Sequence, residues 1–281
     1  MRMSFQYGKV RRQGSRAHDG LRFWAGGQGA GGGRHVVAFT LVELLVVMVI
    51  IAILTTVGLP ALRGIGKGNR MSAATRQVLD DLALARLRAI NSRSVVYVVF
   101  MPTNLMQRIK DEPNVQVRSQ LTNLVSRQLS GYALLSRRTV GDQPGRERPQ
   151  YVSEWKQLPE GILFAPYKFH PGWTNEPNEY LRSFPRVDNG WLPFPHSTNY
   201  LEGYPLPVLA FNARGQLLPI GGMPARDEII PLAEGSVFYG SVGGQLSAPD
   251  VEINPPNNFT NNMIRINWLT GRTAVEQPQL Q

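Results

Sequence analysis

The sequence predicts an α+β fold, with one long N-terminal helix packed on a C-terminal, antiparallel, β-rich domain of two sheets. Three observations predict it. Residues 39–60 form an apolar run of 22 residues with one charge, Glu43. Residues 73–91 then place Val78, Leu82, Ala85 and Ala89 at helical spacing, with Leu79 and Ile90 alongside. From Val95 onward, short β-branched and aromatic runs alternate with Gly- and Pro-bearing turns, and few helical patterns intervene. The chain therefore divides into segments 1–38, 39–60, 61–94 and 95–281.

Segment 1–38 reads as a flexible basic leader. It holds seven Lys/Arg against one Asp, a net +6, which leaves +4 of the total +10 for the rest of the chain. Most of the basicity would leave with this segment, so the charge is poor grounds for a nucleic-acid partner. A glycine-rich stretch, residues 26–33, closes the segment, and such a composition cannot build a core. Gly27, Gly29 and Gly32 match the spacing of a dinucleotide fingerprint. No strand precedes them and no acidic residue follows at the required distance.

Segment 39–60, as a helix, would be roughly 33 Å long, enough to cross a hydrocarbon core of about 30 Å. A carboxylate deep in such a span costs about 2.5–3.5 kcal/mol. An anchor alone would do better with Leu at that position, so Glu43 is expected to have a partner in an assembled state. The run exceeds the 7–15 residues of a signal-peptide core and lacks a small-x-small site at its C-terminal end. Local cations near the span divide between the two sides, Arg22 and Arg34 before it, Arg63, Lys67, Arg70 and Arg76 after it.

The stretch Ala38-Phe39-Thr40-Leu41-Val42-Glu43-Leu44-Leu45, with the apolar residues behind it, resembles the prepilin cleavage and methylation motif of type IV pilins and type II secretion pseudopilins. The resemblance covers about 25 residues closely. It implies cleavage between Ala38 and Phe39 by a prepilin peptidase/N-methyltransferase, N-methylation of Phe39, and Glu43 as the acid that meets a neighbour's terminal amine. Pro60 falls where the family often kinks its helix. Ala38 is a departure, since the family usually has Gly there. The implied product is a single-pass subunit of the bacterial inner membrane with an extracytoplasmic domain. Its partners would be other pilin or pseudopilin subunits and membrane lipid.

Residues 63–69 include three glycines, each weakening a helix by about 1 kcal/mol, so a bent or frayed segment is expected there, with Ser72 capping a new helix. Residues 95–100, all β-branched or aromatic, predict a strand. The run from Ala85 through that strand resembles the helix-to-strand junction of H-type minor pseudopilins and fimbrial T-type minor pilins. Residues 115–129 suggest a short helix, 132–136 a strand and 141–150 a charged loop. Trp155 to Ile162 leads into another strand that also looks H-type. Residues 166–207 hold eight prolines and many aromatics, including Trp173, Phe184, Trp191 and Phe194, and read as an ordered insertion outside any central sheet. Strands are expected at 208–211, 228–232 and 236–239, and a closing hairpin at 264–275, giving roughly seven or eight strands in all.

Catalytic signals are weak. Without cysteine there is no disulfide, thiolate metal site or thiol nucleophile. His18 and His35 lie in the leader. His170 and His196 lie in the proline-rich region with no zinc-binding spacing. Neither a Gly-x-Ser-x-Gly elbow nor a phosphate-binding Gly-Lys-Ser/Thr loop occurs. Asp227-Glu228 and Asp250-x-Glu252 are acidic pairs without the carboxylate density of a calcium loop, and read as solvated surface. No catalytic residue, metal or cofactor is expected. A structural subunit is the leading reading. A membrane-anchored exported enzyme or carbohydrate-binding module, using the aromatic insertion as its surface, is the alternative.

Overall fold

The structure is a computed structural model. It describes residues 40–139, 142–143, 147–170, 183–196, 203–222, 224–242, 245–246, 249–256, 258–260 and 262–276, without the side chains of 57–68 and 241–248. The leader, the Ala38–Phe39 bond and residues 171–182 of the proline-rich region lie outside the described residues. The chain forms two compact units, residues 1–54 and 55–281.

Helix α1 (Leu41–Ser92) is continuous in its backbone. The expected break at 63–69 and the cap at Ser72 are not found. A glycine weakens a helix without forbidding it, and propagation through a weak stretch needs no new nucleus when helix lies on both sides. Ser72 is an ordinary helical residue. The helix stops at Arg93, whose φ of 48° is left-handed. There the Ser94 N–H donates to the Ala89 carbonyl and the Arg93 N–H to the Ile90 carbonyl, a Schellman arrangement.

In the second unit, α1 buries Val78, Leu82, Ala85 and Ala89, the expected stripe, and also Met71 and Ala74, while Leu79 and Ile90 are half-buried. The strands are all antiparallel. The first sheet runs β3 (Gln150–Tyr151), β2 (Gly131–Ser136), β1 (Val96–Phe100), β7 (Tyr204–Phe211), β6 (Asn189–Leu192), with β4 (Lys156–Gln157) on β2 and β8 (Leu217–Leu218) on β7. The second runs β12 (Asp250–Ile253), β9 (Glu228–Phe238), β13 (Met263–Ile266), β14 (Thr273–Glu276), with β5 (Ile162–Phe164) on β9. A separate ribbon joins β10 (Ser241–Val242) and β11 (Gln245–Leu246). Two antiparallel sheets and a helix confirm the α+β class. The strands are more numerous than expected, because several are pairs of residues too short to leave a pattern. The two candidates at 228–232 and 236–239 are one strand, β9.

β1 sits at the centre of its sheet, and both its faces are covered. Val96, Val98 and Phe100 join the main core with α1 and the second sheet. Val99 joins a second core with Leu105 of α2 (Leu105–Asp111) and Leu121 of α3 (Val115–Leu124). This is why the strand reads as an unbroken apolar run. α3 begins at Asn114, whose Oδ1 accepts the N–H groups of Gln116 and Val117. A one-turn α4 (Pro166–Phe169) follows β5.

The proline-rich region contributes to the first sheet, contrary to the expectation that it stands outside. It supplies β6 and the first half of β7, where Pro205 and Pro207 lie opposite Trp191 and Asn189. The Val208 N–H donates to the Asp188 carbonyl, on the β6 flank. N–H groups alternate along a strand, so Pro205 and Pro207 turn their missing donors to the β1 flank. The β1 ladder ends at Val208, so no ladder bond is lost.

Candidate functional site

The N-terminus of α1 is capped by Thr40. Its Oγ1 accepts the Glu43 N–H at 3.2 Å, and its carbonyl accepts the Leu44 N–H at 3.1 Å. Thr40-x-x-Glu43 has the spacing of a capping box, a signal already present in the sequence. Glu43 is the acidic residue of the first turn, where the helix dipole favours negative charge. Its side chain is exposed, and no cation among the described residues lies within ion-pair distance. Beyond it, residues 41–54 are exposed all round, with Leu41 at 81%, Met48 at 64% and Leu54 at 64%. A helix that is apolar on every side is normally buried. Among the described residues, no helix is long and apolar enough to cross a membrane. The expected span begins at Phe39, outside those residues, and its side chains from 57 on, including that of Pro60, are also outside them. Pro60 itself lies in the continuous α1 backbone.

Two polar constellations in the second unit centre on buried charges of its core. In the first, Asp81 of α1 accepts the Tyr132 hydroxyl at 2.6 Å and Lys156 Nζ at 2.5 Å, while Gln77 Nε2 donates to that hydroxyl and to the Gln157 carbonyl, both at 3.0 Å. Burial, then the Asp81 carboxylate, push the Tyr132 hydroxyl far above its ordinary range. This network fixes α1 against β2 and β4.

In the second, Lys168 of α4 is fully buried and its ammonium donates to Glu228 Oε1, to the Pro185 carbonyl at 2.6 Å and to the Phe184 carbonyl at 3.3 Å. Glu228 Oε1 also accepts the Ile229 N–H at 3.0 Å. Burial lowers the Lys168 pKa and the Glu228 charge opposes that shift. The reading of Glu228 as solvated surface is corrected: the strand begins at Glu228 as expected, but this first residue is buried, with its carboxylate turned inward onto the Lys168 ammonium. Asp227, its neighbour, accepts from Arg265 Nε at 3.0 Å and from the Trp268 N–H at 2.9 Å, and so ties β13 to the following turn. The signal missed in the sequence was Lys168, a lone cation between Tyr167 and Phe169.

The Lys168 donors are all engaged, and no group of three His, Asp or Glu side chains among the described residues could hold a metal ion. His196 is exposed, and His170 is half-buried with its pKa lowered by that burial. Asp250 and Glu252 lie exposed on β12. The chain is thus an α+β protein: in one unit, residues 41–54 of α1 are apolar and exposed, and in the other, residues 71–89 of α1 bury a stripe in a two-sheet core. No family model, curated protein or solved structure matches it.

Proposed function

We propose that this chain is a structural subunit, a minor pilin or pseudopilin, cleaved after Ala38, N-methylated at Phe39 and assembled through its N-terminal helix into a type IV pilus or a type II secretion pseudopilus of the bacterial inner membrane. The observation that carries this reading is the division of α1. Residues 41–54 expose apolar side chains on every face with one carboxylate among them, whereas residues 71–89 bury a single stripe in the two-sheet core. The first part needs lipid or other helices for burial. In a helix bundle Glu43 would be buried too, and a buried carboxylate needs a cation. A free α-amine on Phe39 of a neighbour supplies one, and the pairing fixes axial register.

The partners on this reading are the prepilin peptidase/N-methyltransferase, other pilin or pseudopilin subunits and inner-membrane lipid. The domain is extracytoplasmic. Mass spectrometry of protein recovered from native membranes tests the processing: a mature chain beginning with N-methylated Phe39 is expected, and an intact Met1 or Met3 start in assembled material refutes it. Glu43→Leu tests the assembly role. It inserts into the membrane at least as well as wild type and fails to join filaments, since leaving a buried amine unpaired costs about 3–5 kcal/mol. Wild-type incorporation of Glu43→Leu refutes the pairing.

A further inference from the structure

A cavity of about 780 Å³ lies between the last turns of α1 and the chain that leaves β2 and returns as β3. That volume is in the range of small-molecule sites, about 300–1,000 Å³. Its lining includes Arg88 and Asn91 of α1, Arg138 and Asp142 of the connection, and Gln150 and Val152 on the far side. Arg88, Asn91 and Gln150 are exposed. Among the described residues, none of these three side chains has a hydrogen-bond or ion-pair partner.

The charges around the cavity do not cancel. Arg138 is half-buried, and its Nε lies 3.3 Å from Glu147 Oε1. Glu147 is shared with Arg137, so Arg137 offsets it and the Arg138 charge remains for the cavity. Asp142 supplies the one carboxylate in the lining. Its Oδ2 accepts the Thr139 N–H at 2.7 Å and the Arg148 N–H at 3.1 Å, and these donors hold the carboxyl below its ordinary range. Two arginines thus stand against one carboxylate that backbone donors already stabilise. One further carboxylate, brought by a ligand, balances the site.

We propose that this cavity binds an acidic saccharide, with the carboxylate of a uronic acid on Arg88 and Arg138 and its hydroxyls on Asn91, Gln150 and Asp142. The planar fork of an arginine matches a carboxylate. Side-chain amides offer a donor and an acceptor to neighbouring hydroxyls, and Asp142 offers an acceptor. Val152 is the one apolar side chain in the lining, so a peptide would find little there for its apolar groups. No aromatic ring lines the cavity among the described residues, so a nucleic-acid base has nothing to stack on. The inference stands independently of filament membership.

The test is calorimetric titration of the full chain with trigalacturonate, at low salt and in an uncharged detergent without a sugar headgroup. Saturable binding is expected. Galactotriose, which lacks the carboxylates, should bind about tenfold more weakly or worse, and so should trigalacturonate to Arg88→Gln. Arg88 is exposed and unpaired, so that variant should keep the wild-type thermal midpoint. Arg76→Gln, at an exposed arginine of the same helix outside the cavity, should bind as wild type does. Arg138→Gln should also weaken binding; if it does not fold, Arg88→Gln and the comparison of the two saccharides decide. No saturable binding, equal affinity for galactotriose, unchanged affinity in Arg88→Gln, or tighter binding of an oligothymidylate or oligoglutamate of the same charge would each overturn the proposal.

Discussion

Replacing one member of the Lys168–Glu228 pair should cost far more than replacing both. In Glu228→Gln the Lys168 ammonium stays fully buried with the Phe184 and Pro185 carbonyls and a neutral amide in place of its counter-charge. In Lys168→Met the Glu228 carboxylate keeps the Ile229 N–H and loses its cation. Breaking a buried pair from either side costs about 3–5 kcal/mol. At about 2–4 °C per kcal/mol for a domain of this size, each single variant should melt about 6–20 °C lower. The double variant Lys168→Met/Glu228→Gln buries no charge. It still leaves two carbonyls without their donor, so it does not return fully to wild type. A coupling of about 2–3 kcal/mol is expected between the two sites. The assay is chemical denaturation of the four proteins in one detergent, followed by far-ultraviolet circular dichroism. Additivity within about 0.5 kcal/mol, or single variants within 1 kcal/mol of wild type, would refute the reasoning.

Two further outcomes follow from the packing. Gly271 has φ of 60°, and a Cβ there would lie 1.9 Å from the Gly215 carbonyl oxygen, a backbone atom that cannot swing aside; Gly271→Ala should lose about 2–5 kcal/mol, read as a lowered denaturation midpoint, and a neutral result would mean that the two turns do not touch. Tyr132 has its pKa raised above the ordinary tyrosine value of 10.0 by burial and by Asp81; its contribution is present below pH 10 and is lost as pH rises beyond it, because the unfolded chain ionises first, so stability should fall above about pH 10 and Tyr132→Phe should flatten that fall while lowering stability at pH 7.

The helical stripe of α1 was legible because one face of a helix repeats every three to four residues, and Val78, Leu82, Ala85 and Ala89 keep that repeat. β1 was legible because all its residues are β-branched or aromatic. The glycines of residues 63–69 misled, since an intrinsic preference of about 1 kcal/mol per residue is outweighed when helix flanks both ends. Pro205 and Pro207 misled for a different reason: their place in β7 depends on which flank each N–H faces, and that is set by pairing partners far away in sequence. Glu228 and Lys168 are separated by sixty positions, and no local pattern says that two charges will meet inside a core. The apolar stretch with its lone carboxylate, Glu43, was visible in the sequence.

The central place of β1 also has a consequence in time. Val98 pairs with Leu134 on one side and with Leu209 on the other. The chain is made from its N-terminus, so β1 and β2 emerge long before β7 does. At about 5–20 residues per second, the interval between β1 and β7 is on the order of 5–20 s. Throughout it, a strand of five apolar residues presents an unpaired flank to anything nearby, including the same strand on another nascent chain. Crowded synthesis should therefore favour clumping over folding, and slowing initiation should raise the yield of soluble domain more than lowering the temperature of the finished protein does.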